Sequence, residues 1–461
     1  MRNYFLVTII FLIVTSVTAS AQEVRSITLA EAVKIALENN IEMELSKSDI
    51  DRRESEYRQS RADFYPNLNA SLSGIRTAGR QFDQASITFD DITSHNLNAG
   101  ITSNLTLFNG FQNINQLRSS RVGRESAEER YQRTREQIIF EAASRFLDVL
   151  LTEELLEIEE ENLQASRQQL EQVIAQVEVG MSPIVEQFSQ EAIVANNELN
   201  VIRSENALNL AKLRLVRWLQ LDPLEDYNFE TPGIREEDIT IHDYDLREMV
   251  EFAITNRRDV RASELDLQQT RYALNISEGN RLPEVSLSGS ITSAYRDQQR
   301  QPVINGDGTE IMPFSDQFFD GNINRRLQFN VSIPIFNRWQ TSNQIQQRKI
   351  DYRDAELRFQ DLQQEIFLEL RQAYNDYIGY AKELEATEKS LIAAEKAYET
   401  EQERYNVGSA TLIELTNANN AYIQASSNRV QVIYQFVFQE KVLDYFLGRI
   451  SEDFEINALG N

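Results

Sequence analysis

Leu29-Ala-Glu-Ala-Val-Lys-Ile-Ala-Leu-Glu-Asn39 returns, altered but in register, as Leu246-Arg-Glu-Met-Val-Glu-Phe-Ala-Ile-Thr-Asn256. Leu29, Val33, Ala36 and Asn39 meet Leu246, Val250, Ala253 and Asn256 at a constant offset of 217, and Pro66 meets Pro283 at the same offset. Further along the offset is 228. Phe108-Asn109 then meets Phe336-Asn337, Asn115-Gln116 meets Asn343-Gln344, Val179-Gly180 meets Val407-Gly408, and Leu219 meets Leu447. Matches at two fixed offsets over about 190 residues mark an internal duplication, the first feature to establish because it sets the fold. The two copies differ by one insertion of 11 residues between Pro283 and Phe336.

Each copy reads as helix, two strands, long helix, helix. The first helix is expected from about Leu29 to Phe64, ended by Pro66, since the residue before proline avoids helical angles. Strict alternation follows. Leu68, Ala70 and Leu72 oppose Asn67, Asn69, Ser71 and Ser73, and Leu97, Ala99, Ile101, Leu105 and Leu107 oppose Asn98, Gly100, Thr102, Asn104 and Thr106. In the second copy Val285, Leu287 and Ile291, then Leu327, Phe329, Val331, Ile333 and Ile335, alternate with Ser, Thr, Asn and Gln. Period two means strands with one apolar and one polar face. A soluble sandwich with one wet side satisfies that pattern. A membrane barrel satisfies it with an uncharged polar face lining a water-filled lumen. Each strand pair encloses turn-rich sequence, and the second loop, around Pro302 to Asp320, carries the 11 extra residues. Phe64, Tyr65, Phe108, Phe111, Phe336 and Trp339 gather at the strand–helix junctions, where an interfacial aromatic belt or simple junction packing accounts for them.

From Gln112 to Glu178 there is no proline and a single glycine, Gly123, and Gln340 to Asn406 is similar. At 1.5 Å per residue such a run is a rod of about 100 Å. Apolar positions Leu362, Ile366, Leu370, Ala373, Tyr377, Ala381 and Leu384 recur at about 3.67 residues per turn, which keeps the seam nearly straight. Gly180 and Gly408 are placed to end the two rods. The expected organisation is a signal peptide over 1–21, a first repeat over 22–220 (strand hairpin 67–108, long helix 110–178, helix 183–220), and a linker over 221–244. A second repeat over 245–448 (strand hairpin 284–336, long helix 338–406, helix 411–447) and a tail over 449–461 complete it.

Composition narrows the function. Arg2, the apolar run Tyr4 to Val14 and Ala19-Ser20-Ala21 read as a secretory signal cleaved after Ala21. The run falls short of the roughly 20 residues of a spanning helix. No later stretch reaches that length, so membrane insertion would use strands. The chain has no cysteine, which excludes disulfides, thiol catalysis and a lipid-carrying N-terminal Cys. A net charge of −26 argues against nucleic acid as a partner. The two histidines, His95 and His242, stand apart, and no phosphate-binding loop, metal-ligand cluster or nucleophile motif is present. An enzyme is not expected, nor a metal or other cofactor. Four strands cannot close a barrel, and open strand edges are not tolerated in lipid. Association is therefore expected, three copies giving twelve strands. A rival reading is a periplasmic coiled-coil structural or adaptor protein, whose helices would look alike but which would lack the alternating strands.

Over essentially the whole mature chain the sequence resembles the TolC family of outer-membrane efflux proteins. The residues that carry the resemblance are Leu29-Ala-Glu-Ala-Val with Ala36-Leu37 and Asn39-Asn40, Tyr65-Pro66, the Phe108-Asn109-Gly110 corner, and the tips Val179-Gly180-Met181-Ser182 and Val407-Gly408-Ser409-Ala410. The resemblance implies a mainly helical homotrimer. Its twelve-stranded β-barrel in outer-membrane lipid, four strands per chain, continues into a long α-helical barrel in the periplasm. It also implies a passive exit channel of a tripartite efflux or type I secretion system, opened at its periplasmic tip by an adaptor and an inner-membrane transporter. The adaptor-contacting tip would be Val179, Gly180, Met181 and Ser182 with Val407, Gly408, Ser409 and Ala410. The gate would carry Glu414 and Asn417, with Glu186 equivalent in the first repeat and Tyr405 as gate-region tyrosine. A basic residue that locks the tip in some members is replaced here by Ala410.

Overall fold

The structure is a computed structural model and describes residues 25–83, 87–230, 241–302 and 309–450. The expected signal peptide lies outside the described residues, as do 231–240 of the linker, 303–308 of the outer loop and 451–461 of the tail. The chain forms two compact units.

One unit comprises 44–133 and 254–366. Its sheet is antiparallel, with β2 (Asn69–Asp83), β3 (Thr88–Asn109), β5 (Glu284–Arg296) and β8 (Asn324–Ser332) in the order β2-β3-β5-β8. The register sets Ala70, Ile101, Ile291 and Arg325 in one cross-strand row, and Leu105, Leu287 and Phe329 in another. The apolar face is left bare: Leu72 is 70%, Leu327 76% and Phe329 63% exposed. A sandwich would have covered it. Among the described residues, β2 and β8 each have one unpaired edge.

The first hairpin is longer than the sequence suggested. Its strands run on to Asp83 and resume at Thr88, so the loop is short. The second is cut short at Ser332 instead of continuing through Ile335, because Pro334 has no N–H to give the ladder. Its outer loop holds a small pair, β6 (Arg300–Pro302) with β7 (Thr309–Ile311), then α7 (Phe314–Asp316) and one π turn, Gln317–Gly321. Helices of this unit are most of α2 (Ile41–Ala62), α6 (Arg258–Gly279) and the first parts of α3 (Gln112–Glu178) and α8 (Gln340–Asn406). Ser126 Oγ donates to Asp266 Oδ1 at 2.7 Å, and Arg258 reaches Glu129 at 3.1 Å, tying α3 to α6.

The other unit comprises 1–43, 134–253 and 367–461, of which the residues named above are described. It holds α1 (Leu29–Asn39), α4 (Ile184–Trp218), α5 (Leu246–Asn256), α9 (Leu412–Leu447) and the later parts of α3 and α8. A parallel pair, β1 (Arg25–Ile27) with β4 (Tyr227–Phe229), lies among them. Cross-helix bonds order the four long segments α4-α3-α9-α8. Gln190 Nε2 donates to Ser166 O at 2.9 Å, Asn419 Nδ2 to Asn162 Oδ1 at 2.9 Å, and Gln439 Nε2 to Ala373 O at 2.8 Å. The part of the expected α8 seam in this unit is inward: Leu370, Ala373, Tyr377 and Leu384 are buried. No helix among the described residues is long and apolar enough to cross a membrane.

The expected single first helix is two helices in each repeat. Asn40 (φ −68, ψ 130) breaks the first, and its side chain accepts from Glu42 N at 2.8 Å, so one residue ends α1 and caps α2. Arg257 (φ −63, ψ 134) breaks the second, its buried guanidinium reaching Asp259 Oδ2 at 2.6 Å. Neither break involves proline or glycine. At the first break the Asn40 side chain satisfies a backbone N–H that a continuous helix would have bonded internally; at the second the Arg257 side chain gives the helix no cap bond and holds the Asp259 carboxylate instead.

Candidate functional site

The residues expected to serve gating and docking lie where the two long helices turn back. Gly180 (φ 73) and Gly408 (φ 74) sit in the left-handed region. After α3, Met181 N bonds Gln176 O at 2.8 Å and Gly180 N bonds Val177 O at 3.0 Å. After α8, Ser409 N bonds Arg404 O at 2.8 Å and Gly408 N bonds Tyr405 O at 2.9 Å. Both turns are Schellman motifs, in which the two N–H groups after the helix satisfy its last carbonyls. Their apolar residues stay outside: Val179 is 70%, Met181 78% and Val407 80% exposed, with Ile184, Val185 and Ile413 also exposed.

The two turns differ in how the return helix starts. Before α9, Thr411 Oγ1 accepts from Glu414 N at 3.3 Å, while Glu414 Oε2 accepts from Thr411 N at 2.7 Å and from Thr411 Oγ1 at 3.0 Å. This is a capping box, and Thr411-Leu-Ile-Glu414 is its sequence signature. It gives Glu414 a structural task beside the expected gating one. The Thr411 N–H holds the Glu414 carboxyl below its usual range, with the Arg404 charge a smaller contribution. Before α4, Pro183 stands at the cap without a side-chain bond, and Glu186 has no partner of that kind.

Arg404 joins the tip residues although its motif did not mark it out. Its guanidinium grips Glu401 at 2.6 and 2.8 Å and donates to Ser409 O at 3.2 Å, bridging the turn. The tip therefore has a basic clasp four residues before Gly408 although Ala410 is neutral. The Glu401/Arg404 spacing of three was the available signal. The first repeat has Gln176 at the matching position, and its amide oxygen accepts from Ser182 Oγ at 3.1 Å.

Tyr405 is buried against Leu412 and Leu415. Its hydroxyl stands close to the buried Gln169 Nε2, but the two do not reach good hydrogen-bond geometry. Burial pushes the phenol up, and the Glu186 carboxylate adds to the effect. Glu186 and Tyr405 are thus brought together across the two repeats. Glu414 and Asn417 are both exposed, one turn apart on a single face of α9.

A family described as Outer membrane efflux protein matches residues 32–219 and 249–449, one stretch in each repeat. Among individual relatives, the outer membrane protein TolC of Vibrio cholerae is 21% identical over 340 residues, covering 72% of this chain and 73% of that one. The outer membrane efflux protein BepC of Brucella suis is 21% identical over 441 residues, 94% of this chain and 88% of its own. Among solved structures, the fold is shared with the CusC channel (TM-score 0.78, 16% identity, 91% of each chain). It is shared too with the CmeC outer-membrane channel of Campylobacter jejuni (TM-score 0.78, 17% identity, 93% of this chain and 88% of that one). With the family matched along both repeats, the adaptor-like reading is not favoured, and the chain belongs to the outer membrane efflux protein family, the TolC-type channels of the outer membrane.

Proposed function

We propose that this protein is the passive exit duct of a tripartite efflux or type I secretion system, working as a homotrimer. The single observation that carries the reading is the sheet with a bare apolar face and two unpaired edges, β2 and β8. Such edges are stable in lipid only if another copy closes them. Three copies give a barrel of twelve strands. A second stripe supports the same closure: Phe188, Leu199, Ile202, Leu210 and Leu213 run along the side of α4, an outermost helix of its layer, and all are exposed. An uncovered apolar stripe of that length fits a helix–helix interface with another copy.

The helix turns form the periplasmic end. Val179, Gly180, Met181 and Ser182, with Val407, Gly408, Ser409 and Ala410, offer apolar side chains on rigid turns to a periplasmic adaptor coupled to an inner-membrane transporter. Glu414 and Asn417, with Glu186 in the other repeat, line the constriction, and a ring of three Glu414 carboxylates favours cations over anions. Tyr405 packs behind it, and Arg404 clasps the turn until the adaptor engages.

Native mass spectrometry of the detergent-extracted chain, paired with fractionation, tests the reading. A trimer retained in the outer membrane after salt washing is expected. A monomer released by the wash would overturn it.

A further inference from the structure

In a chain with 72 acidic and 46 basic residues, a pocket dominated by arginine is out of character. One exists beside the α1–α2 break. It has a volume of 340 Å3 and is lined by Arg145 from α3, by Arg214, Arg217 and Trp218 from the end of α4, and by Asn40 and Glu42. Arg145 stacks over the Trp218 ring at 4.8 Å and shares a 3.1 Å bond with Glu141. Arg214 and Arg217 are exposed and have no ion pair among the described residues. Two further donors, Arg145 Nε and Trp218 Nε1, are buried without any acceptor. These two atoms are closed off from solvent behind the Arg145–Trp218 stack, so the donors that the pocket offers to an incoming group are those of Arg214 and Arg217. Arg217 lies in the last turn of α4, whose carbonyls attract a cation. That accounts for one arginine and not for Arg145, which comes from another helix.

The duplication supplies an internal control. At the 228 offset, Arg145, Arg214, Arg217 and Trp218 become Ala373, Val442, Tyr445 and Phe446. The backbone is kept: Leu219 and Leu447 are both buried, and Gln220 (φ 55) and Gly448 (φ 72) both turn left-handed. The fold therefore needs none of the four polar residues at these places. The first repeat has acquired donors where the second has apolar atoms.

We propose that this pocket binds a carboxylate, held by the Arg214 and Arg217 guanidinium groups beside the wall formed by the Arg145–Trp218 stack. Guanidinium groups match a carboxylate two bonds at a time. The pocket, at 340 Å3, is wide enough for a small polycarboxylate as well as for an inserted acidic side chain. The carboxylate comes either from a small periplasmic acid or from an acidic side chain of a second copy of this chain.

The chain has two tryptophans, Trp218 and Trp339, so a Trp339→Phe background makes Trp218 the sole reporter. Citrate is titrated into the full-length, detergent-extracted protein in that background at low ionic strength. A saturable change in Trp218 emission is expected if the site is open to soluble acids. In Arg214→Gln/Arg217→Gln its apparent Kd should rise by about tenfold or more. If citrate gives no change in the assembled protein but the double variant shifts the oligomer towards monomer, with helix content by circular dichroism unaltered, the carboxylate belongs to a second copy. No response to citrate together with unchanged assembly in the double variant overturns the proposal.

Discussion

Thr411 and Glu414 hold each other: each backbone N–H at the start of α9 is bonded by the other's side chain, at 2.7 Å to the Glu414 carboxylate and 3.3 Å to the Thr411 hydroxyl. The same carboxylate is the one expected to face the constriction, so its two roles must be separated by substitution. Glu414→Gln keeps an oxygen for Thr411 N and removes the charge. It should leave stability close to wild type and reduce cation preference in single-channel recordings. Thr411→Ala should cost about 1 kcal/mol in thermal unfolding and keep the preference. Unchanged selectivity in Glu414→Gln would remove Glu414 from the conducting path.

Glu440 predicts a pH effect. It lies 5% exposed on α9, and neither carboxylate oxygen has a hydrogen-bond partner. Burial pushes its carboxyl up to about 7, opposed by Lys441 and reinforced by Asp444. The stability tied to its protonated form is full below its ordinary value of 4.5 and is lost as pH rises through about 7. Glu440→Gln should therefore raise the melting temperature at pH 8, by the equivalent of about 1–3 kcal/mol, and do nothing at pH 4. Melting curves of both proteins at the two pH values check this, and an equal shift at each would refute it.

Gly110 and Gly180 both have positive φ but differ in surroundings. A Cβ on Gly110 would run into the Gly279 carbonyl, and one on Gly279 would come within 2.5 Å of Gly110 O. Nothing lies within 4 Å of a Cβ on Gly180. Gly110→Ala should cost about 2–4 kcal/mol and lower the yield of folded protein. Gly180→Ala should cost only about 1 kcal/mol of left-handed strain. Equal losses in urea unfolding would show that backbone conformation, and not the contact, governs the corner.

Gln317 is fully buried in the outer loop. Its amide oxygen accepts from Arg296 N at 3.0 Å, and its nitrogen donates to Arg296 O at 3.1 Å and Met312 O at 2.6 Å. It stands in for the ladder partner that β5 lacks beyond the start of β8. Gln317→Ala should leave these groups unmade, at about 1–3 kcal/mol. The loop around Phe314–Gly321 should then be cleaved faster by external protease in intact cells than the same loop of wild type.

Elements whose cause lies in neighbouring residues are legible in the chain itself. The long helices begin and end at Gln112–Glu178 and Gln340–Asn406, as the absence of proline and the terminal glycines suggest. The breaks at Asn40 and Arg257 are not legible. Neither has a proline or glycine to mark it, and only the side-chain bonds to Glu42 N and Asp259 reveal them. Of the candidate site, the positions of both turns are readable. The Arg404 clasp is not. An arginine three residues after a glutamate is common on any exposed helix face, and its bond to Ser409 O exists only once the turn has folded.

The sequence by itself determined the duplication, the strand faces and the extents of the two long helices. The duplication shows in two fixed offsets along the chain, and the strand faces and long helices follow from period and punctuation, which are local. Only the tertiary structure decided that Gly110 meets Gly279, that Arg145 lies on Trp218, and that the helices order as α4-α3-α9-α8. The helical period sets which face of a rod is buried. It says nothing about the axial register between rods, and that register chooses which residues touch.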